Sequence, residues 1–267
     1  MNQPAVLSGS FHFLEVYRPA PKPRSSGITV ASDQYLSLEE ARSLISVFGP
    51  YFDWIKFPDH YGHIARYSPA WLKEKIALYH AADIRTTLGG VIYEVSVVQK
   101  QVERFFQRAA ELGLSGVEIS EDVIDAQSPS ERAAHIQLAK SLGLNVFTEV
   151  GRKFPDKPFD AQEAADIAAR DLEAGAFKVV VENSDIIQVI EQASDALHRF
   201  AQLLPAGRVV FEAGPNQKDK VAGWLLGEFG PEVNIENVDI RDVGAVSAMR
   251  AGLHRNVGLR FFDKANS

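Results

Sequence analysis

The chain contains no cysteine and only two methionines among its 267 residues. Absence of cysteine removes disulfides, thiol nucleophiles and thiolate-held metals together, and it fits the cytoplasm. No apolar run approaches membrane-spanning length, and the amino terminus has no basic segment followed by an apolar core. Neither a G-x-G-x-x-G sequence nor a Walker sequence is present. Positive charge is also short: 28 Lys and Arg against 35 Asp and Glu leave a net charge of −7. That balance argues against a broad nucleic-acid surface and leaves only local basic pockets. The expected setting is a soluble cytoplasmic protein with neither membrane nor nucleic acid as partner. With 46% hydrophobic residues, the chain has enough apolar side chain for one full core.

What is present is a repeated pattern. Helix-like segments end at Gly113, Gly143, Gly175 and Gly207, and each is followed by a short β-forming run that closes on Glu118, Glu149, Glu182 or Glu212. Glycine after an amphipathic run is a helix C-cap, because it takes the left-handed conformation at little steric cost. A repeat of about thirty residues is the length of one strand–helix unit. Strand after strand ending in a carboxylate is hard to ascribe to packing. Crowded carboxylates cost free energy unless a cation or a metal holds them.

The stretch NVFTEVGRK, residues 145–153, carries the most chemistry. It places Glu149 at a strand end and Arg152 and Lys153 on the loop beyond. A strand-end carboxylate facing a loop lysine is a common catalytic arrangement in α/β proteins. Taken alone, an ion pair that orders the loop is the plainer reading; the repetition of strand-end carboxylates favours the site.

In chain order, residues 1–26 include PAPKPRSS and read as an arm, with Phe11, Phe13 and Leu14 packing against the outside of the domain. From Gly27 onward, strands are expected at 27–31, 52–57, 84–87, 116–120, 145–149, 178–183, 208–214 and 233–235. Ser37 with Glu40 and Ser128 with Glu131 are capping boxes, and Ser68-Pro69 starts another helix. A helix is expected over 98–112 and a single long one over 185–204. His60 and His63, in the loop after the second strand, are solvated or hydrogen-bonded histidines in preference to metal ligands. Gly89-Gly90 reads as a turn or as a close backbone approach to a ligand. Eight strands alternating with helices, in one composition block, imply a single-domain (β/α)8 TIM barrel over 27–267. An open doubly wound sheet is the alternative, disfavoured because its nucleotide fingerprint is missing.

Several segments, in order and spacing, resemble the phosphosulfolactate synthase family: GITVASD, FDWIKF, LGGVIYE, VEIS, TEVGRKFPDK, VFEA and FGPEVNIENV followed by MRAGL. The resemblance runs from about Gly27 to Leu253 and also implies a (β/α)8 barrel. It implies a carbon–sulfur lyase-type synthase: Mg²⁺-dependent addition of sulfite to phosphoenolpyruvate, through an enolate-like intermediate stabilised by the metal. Lys153 matches the proton donor, with Lys56 and Glu149 completing the catalytic group. Acidic strand-end positions Asp33, Glu94, Glu118, Glu149, Glu182 and Glu212 are where Mg²⁺ ligands should lie, and Glu118, Glu182 and Glu212 are the expected set. Contacts to a small anionic substrate are expected from Asp33, Gly89, Gly90, Arg152, Arg250 and Asn234. The resemblance also suggests a homo-oligomer, with the apolar lead-in around Phe11 to Val16 as a contact arm.

The departures concern anion binding. The family's KFGWGTS is here KFPDHYGH, its E-x-R-E-S-G loop is ENSDI, its EAPQK is EAGPNQK, and its LRRGLRGDTF is MRAGLHRNVG with Ala251 in place of the second arginine. An arginine on phosphate or sulfonate oxygens is not replaced by Ser184 or Asn183. Arg152, Arg250 or Arg255 is then expected to supply the phosphate site. Three functions stand in order: the family reaction, nearly level with a repurposed barrel enzyme acting on another phosphorylated or carboxylated small molecule, and well behind them a non-catalytic relative working through protein contacts. The kept Lys153 and carboxylates argue against the third.

Overall fold

The computed structural model describes Phe13 and residues 16–58 and 64–260. Its eight strands are β1 (Thr29–Ser32), β2 (Trp54–Phe57), β3 (Arg85–Leu88), β4 (Gly116–Ile119), β5 (Asn145–Val150), β6 (Lys178–Val181), β7 (Val209–Glu212) and β8 (Ile235–Asp239). All pair in parallel in the order β3-β2-β1-β8-β7-β6-β5-β4. The two outer strands of that order meet where Ser115 N–H donates to Thr86 O at 2.9 Å. The result is a nearly closed (β/α)8 barrel, as the alternation implied.

The helices are α1 (Leu38–Phe48), α2 (Pro69–His80), α3 (Gly90–Val98), α4 (Val102–Leu112), α5 (Pro129–Ser141), α6 (Ala161–Ala174), α7 (Asn183–Glu191), α8 (Ala196–Gln202), α9 (Lys218–Phe229) and α10 (Val243–Arg250). Both capping boxes form, and Ser68 caps α2 ahead of Pro69. Gly113 and Gly175 close α4 and α6 in the left-handed conformation, at φ +89° and +112°. Among the described residues, no helix is long and apolar enough to cross a membrane.

Three local expectations are corrected. LGGVIYE is not a turn: Gly90 begins α3, and the expected helix over 98–112 starts only at Val102. The long helix over 185–204 is two, α7 and α8, separated at Ala193, whose φ is +49°. The last strand begins at Ile235 and runs to Asp239, not from 233 to 235. Phe13 is exposed, and Phe11, Leu14, His60 and His63 lie outside the described residues.

Period-two alternation divides the core in two. Ile28, Val30, Trp54, Phe147, Val180 and Val210 fill the barrel interior, while the larger apolar cluster lies between strands and helices. Trp54 packs edge-on against Phe147 at 5.0 Å between ring centroids. Gly116 makes room for it: a Cβ there would stand 3.3 Å from the indole. Two residues beyond these interior positions, the next inward side chains are Lys56, Glu118, Glu149, Glu182 and Glu212. The apolar layer is thus the floor beneath a charged layer at the carboxyl ends of the strands.

Candidate active site

Lys56 is the centre of the charged layer. Its Nζ lies 2.7 Å from Glu236 Oε1, 3.0 Å from Glu118 Oε2 and 3.6 Å from Glu212 Oε1. Burial works against its charge, but Glu118, Glu236, Glu212 and Glu149 outweigh burial and hold Lys56 well above the ordinary lysine range. Glu118 is further fixed by the main-chain N–H of Gly90 at 3.0 Å. Glu212 accepts from Asn237 Nδ2 and from the main-chain N–H of Asn183.

A second group adjoins the first. One carboxylate oxygen from each of Asp122, Glu149 and Glu182 lies within 4.8 Å of the others. Glu149 Oε1 and Glu182 Oε2 are buried without a hydrogen-bond partner. Burial, with the charges of Glu212, Asp122, Glu118 and Glu182, pushes Glu149 well above the usual carboxylate range. Glu212 is raised by burial and by Glu182, with Lys56 opposing. Asp122 is raised by burial against the pull of Lys153. Lys153 donates a short hydrogen bond to Asp122 Oδ2. Burial would lower Lys153, but Asp122, Glu149 and Glu182 prevail and raise it.

Six carboxylates therefore face two lysines. Such an excess is tolerated only if protons or a further cation share the space. The unpartnered oxygens of Glu149 and Glu182 fit a hard divalent cation, which takes oxygen ligands.

The supporting shell explains the geometry. Glu94 on α3 accepts from the main-chain N–H groups of Asp122 at 2.9 Å and Val123 at 2.7 Å, shaping the loop that carries Asp122. Asp185 accepts from the N–H of Arg152 at 2.6 Å, tethering the loop that carries Lys153. Arg132 grips Asp171 with two nitrogens and donates to Glu149 O at 2.9 Å, anchoring the end of β5.

Lys56, Lys153, Glu118, Glu149, Glu182 and Glu212 are thus brought together. Of the three expected metal ligands, only Glu182 joins the candidate metal group; Lys56 engages Glu118 and Glu212. Gly90 serves close packing, since a Cβ would stand 2.1 Å from Ser120 Oγ. Gly89 precedes it as the N-cap of α3. The Arg152 side chain is exposed beside Lys153.

Three assignments are corrected. Asp33 has the opposite parity to Val30, so its carboxylate faces the helix layer, 2.6 Å from both Lys75 Nζ and Tyr79 Oη. Asn234 stands at the amino end of β8, where it accepts from Ile28 N–H and donates to Val209 O. Arg250 ends α10, and a helix antiparallel to its strand returns to the amino face. There it donates to Val233 O, Ile28 O and Thr29 Oγ1. None of the three reaches the lysine–carboxylate layer. Arg255 begins a short turn, Arg255–Val257, past α10, whose Asn256 packs along α9 at Asp219 and Gly223.

Asp122 and Glu236 were missed. Glu236 had a legible signal, because EFGPEVNIE repeats the helix-end, glycine, strand, glutamate pattern. Asp122 sits in a loop, with no periodicity to mark it.

Fold and site define a (β/α)8 barrel with a buried lysine–carboxylate centre at the carboxyl ends of its strands. Residues 18–256 match the family described as (2R)-phospho-3-sulfolactate synthase (ComA). The chain is 30% identical to phosphosulfolactate synthase of Methanothermobacter thermautotrophicus over 253 residues, 91% of this chain and 95% of that protein. It is 32% identical to the Methanocaldococcus jannaschii protein of that name, over 85% of this chain and 92% of the other. The Bacillus subtilis protein so named is 29% identical, over 87% and 92%. The chain belongs to the phosphosulfolactate synthase family.

Among solved structures, the carboxyl transferase domain of Rhizobium etli pyruvate carboxylase overlays with a TM-score of 0.59 at 10% identity, over 89% of this chain and 46% of that one. DHDPS from Cyanidioschyzon merolae overlays at 0.54 and 13% identity, over 90% and 76%. At these identities the likeness concerns the fold alone.

Proposed function

We propose that the protein adds sulfite to phosphoenolpyruvate, forming phosphosulfolactate, with Mg²⁺ held by Asp122, Glu149 and Glu182. The observation that carries this reading is Lys153 bonded to Asp122 at the edge of a carboxylate group with two unpartnered buried oxygens. When bound, the divalent cation supplies a Lewis acid for oxygens on which negative charge develops.

The sulfur lone pair attacks C3, a C–S bond forms, and the π pair of the double bond moves toward C2 and its carboxylate. Lys153 gives its proton to C2 and is reprotonated from solvent. Lys153 suits that task, being partly exposed at the mouth of the site yet held by Asp122 in one position. Lys56, fixed by three carboxylates, has little rotational freedom and acts as a fixed positive charge beneath the reacting centre. Arg152, exposed beside Lys153, is a cation available to phosphate or sulfonate oxygens.

The altered loop ENSDI favours a second reading: the same proton-transfer apparatus serving another nucleophile or another enol phosphate. In this chain Asn183 and Asp185 are committed to Glu212 O and Arg152 N–H, so neither replaces a cation. The test is consumption of phosphoenolpyruvate by purified protein with Mg²⁺, with and without sulfite. Sulfite-dependent loss supports the family reaction, loss only with other nucleophiles supports the second reading, and no loss in any combination contradicts both.

A further inference from the structure

At the amino ends of the strands, opposite the carboxylate layer, lies a cavity of about 320 Å³. Lys22, Arg24, Arg85, Lys178 and Arg208 line it, against Asp53 and Asp83, a local charge of +3 in a chain of net charge −7. The bonds of these cations go mostly to main-chain carbonyls. Lys22 donates to Gly49 O at 2.7 Å and to Asp83 O at 3.3 Å, and Lys178 to Gly207 O and Ser25 O. Arg208 donates to Phe177 O at 2.7 Å, and the Arg85 guanidinium lies 5.4 Å from the centre of the Trp54 ring. Arg24 pairs with Asp53, at 3.4 Å. Carbonyls satisfy N–H groups without neutralising their charge. Accordingly burial pulls both Lys22 and Lys178 down to about 8.

An independent observation points to a ligand. Asp53 is buried, and its Oδ2 accepts from Thr29 N–H and Arg24, but its Oδ1 is buried with no hydrogen-bond partner. A buried carboxylate oxygen without a donor is costly, and a ligand hydroxyl would satisfy it. The cavity therefore combines charge-assisted donors for an oxyanion with one orphaned acceptor, beside the ring pair Trp54 and Phe177 at 5.7 Å. Its volume lies at the lower end of small-ligand sites, which run to about 1,000 Å³.

We propose that this cavity is a second small-molecule site, binding a small phosphate monoester that also carries a hydroxyl group. The cations take the phosphate, and Asp53 Oδ1 accepts from the hydroxyl. Trp54 lies two residues before Lys56 on β2, so the floor of the catalytic layer is a wall of this cavity. The site is separate from the catalytic one, and the proposal does not depend on which reaction is catalysed there.

The test is isothermal titration calorimetry of the full chain with glycerol 3-phosphate, and with methyl phosphate, which has no alcohol group. Arg85 and Arg208 are exposed, so Arg85→Gln and Arg208→Gln should fold, as circular dichroism would verify. The expected result is binding of glycerol 3-phosphate, weakened about tenfold by either substitution, unchanged in Lys153→Ala, and tighter than binding of methyl phosphate. Binding that survives both arginine substitutions, or is lost in Lys153→Ala, would overturn the site. Equal binding of the two esters would overturn the role of Asp53. Absence of binding at millimolar ester would overturn the proposal as a whole.

Discussion

Lys56 Nζ lies 2.7 Å from Glu236 Oε1, across neighbouring parts of the barrel wall contributed by opposite ends of the chain. Together with Glu118 and Glu212 it forms a buried ion cluster that closes the centre of the site. Replacing Lys56 by Met leaves three buried carboxylates without their cation. The expected cost is about 3–5 kcal/mol, as for breaking other buried ion pairs from one side. Chemical denaturation measures it, and a cost near zero would mean that the three carboxylates carry protons in the native protein.

Lys153 is partly exposed and joined chiefly to Asp122, so its loss should leave the fold intact. Lys153→Ala is expected to reduce turnover about 100-fold or more, the usual loss when a general acid is removed. Steady-state kinetics beside a melting curve separates the two effects. Retained turnover would take the proton-donor role away from this residue.

The metal group gives a prediction that needs no activity. Mg²⁺ should raise the melting temperature of the native protein, because a ligand that binds only the folded state stabilises it. EDTA should reverse the rise, and Asp122→Asn or Glu182→Gln should shrink it. An equal rise in the native protein and both variants would place the cation elsewhere.

Asp185, on the turn of α7 that follows the proposed ligand Glu182, supplies a pH test, run without added metal. Burial raises its pKa from 3.8 to about 6, with the Arg152 N–H bond opposing and Glu182 adding to the rise. A carboxyl raised in the folded state favours folding while it is protonated, at pH below about 4. That contribution is lost as pH climbs through 6. A full shift of this size converts to about 3 kcal/mol; with the group partly solvated, about 1–2 kcal/mol is expected. Asp185→Asn, which keeps an oxygen for Arg152 N–H, should therefore gain on the native protein between pH 4 and 7. Parallel denaturation curves across that range would contradict the argument.

Much of this arrangement was legible before folding. Strand–helix alternation, capping boxes and the glycine–strand–glutamate repeat all follow from short-range rules, and short-range rules set the barrel. The repeat also found Glu118, Glu149, Glu182 and Glu212, because side chains two residues apart share a face. Position along the barrel axis was harder to read. Arg250 and Asn234 looked like part of the site because they lie in matching motifs, but a helix that runs back along its strand carries Arg250 to the other end. Asp33 failed by one residue of parity. Partner choice was not legible at all: which glutamates face Lys56 depends on neighbours 62 to 180 residues away.

Arg250 tests that correction. It is buried among main-chain acceptors just ahead of β1 and β8, at Ile28, Pro231 and Val233, so Arg250→Ala should cost about 2–4 kcal/mol of stability. The KM of whatever protein remains folded should not change. A raised KM with unchanged stability would return Arg250 to substrate binding.

The most direct measurement of the central claim is phosphorus NMR of phosphoenolpyruvate, sulfite and Mg²⁺ with the purified protein in D₂O, run beside Lys153→Ala. The account predicts a new phosphate ester resonance from the native protein, with deuterium at C2 of the product, and no such resonance from the variant at matched time. A native protein that binds Mg²⁺ and stays folded yet forms no ester, or a variant that forms it as fast, would contradict the account.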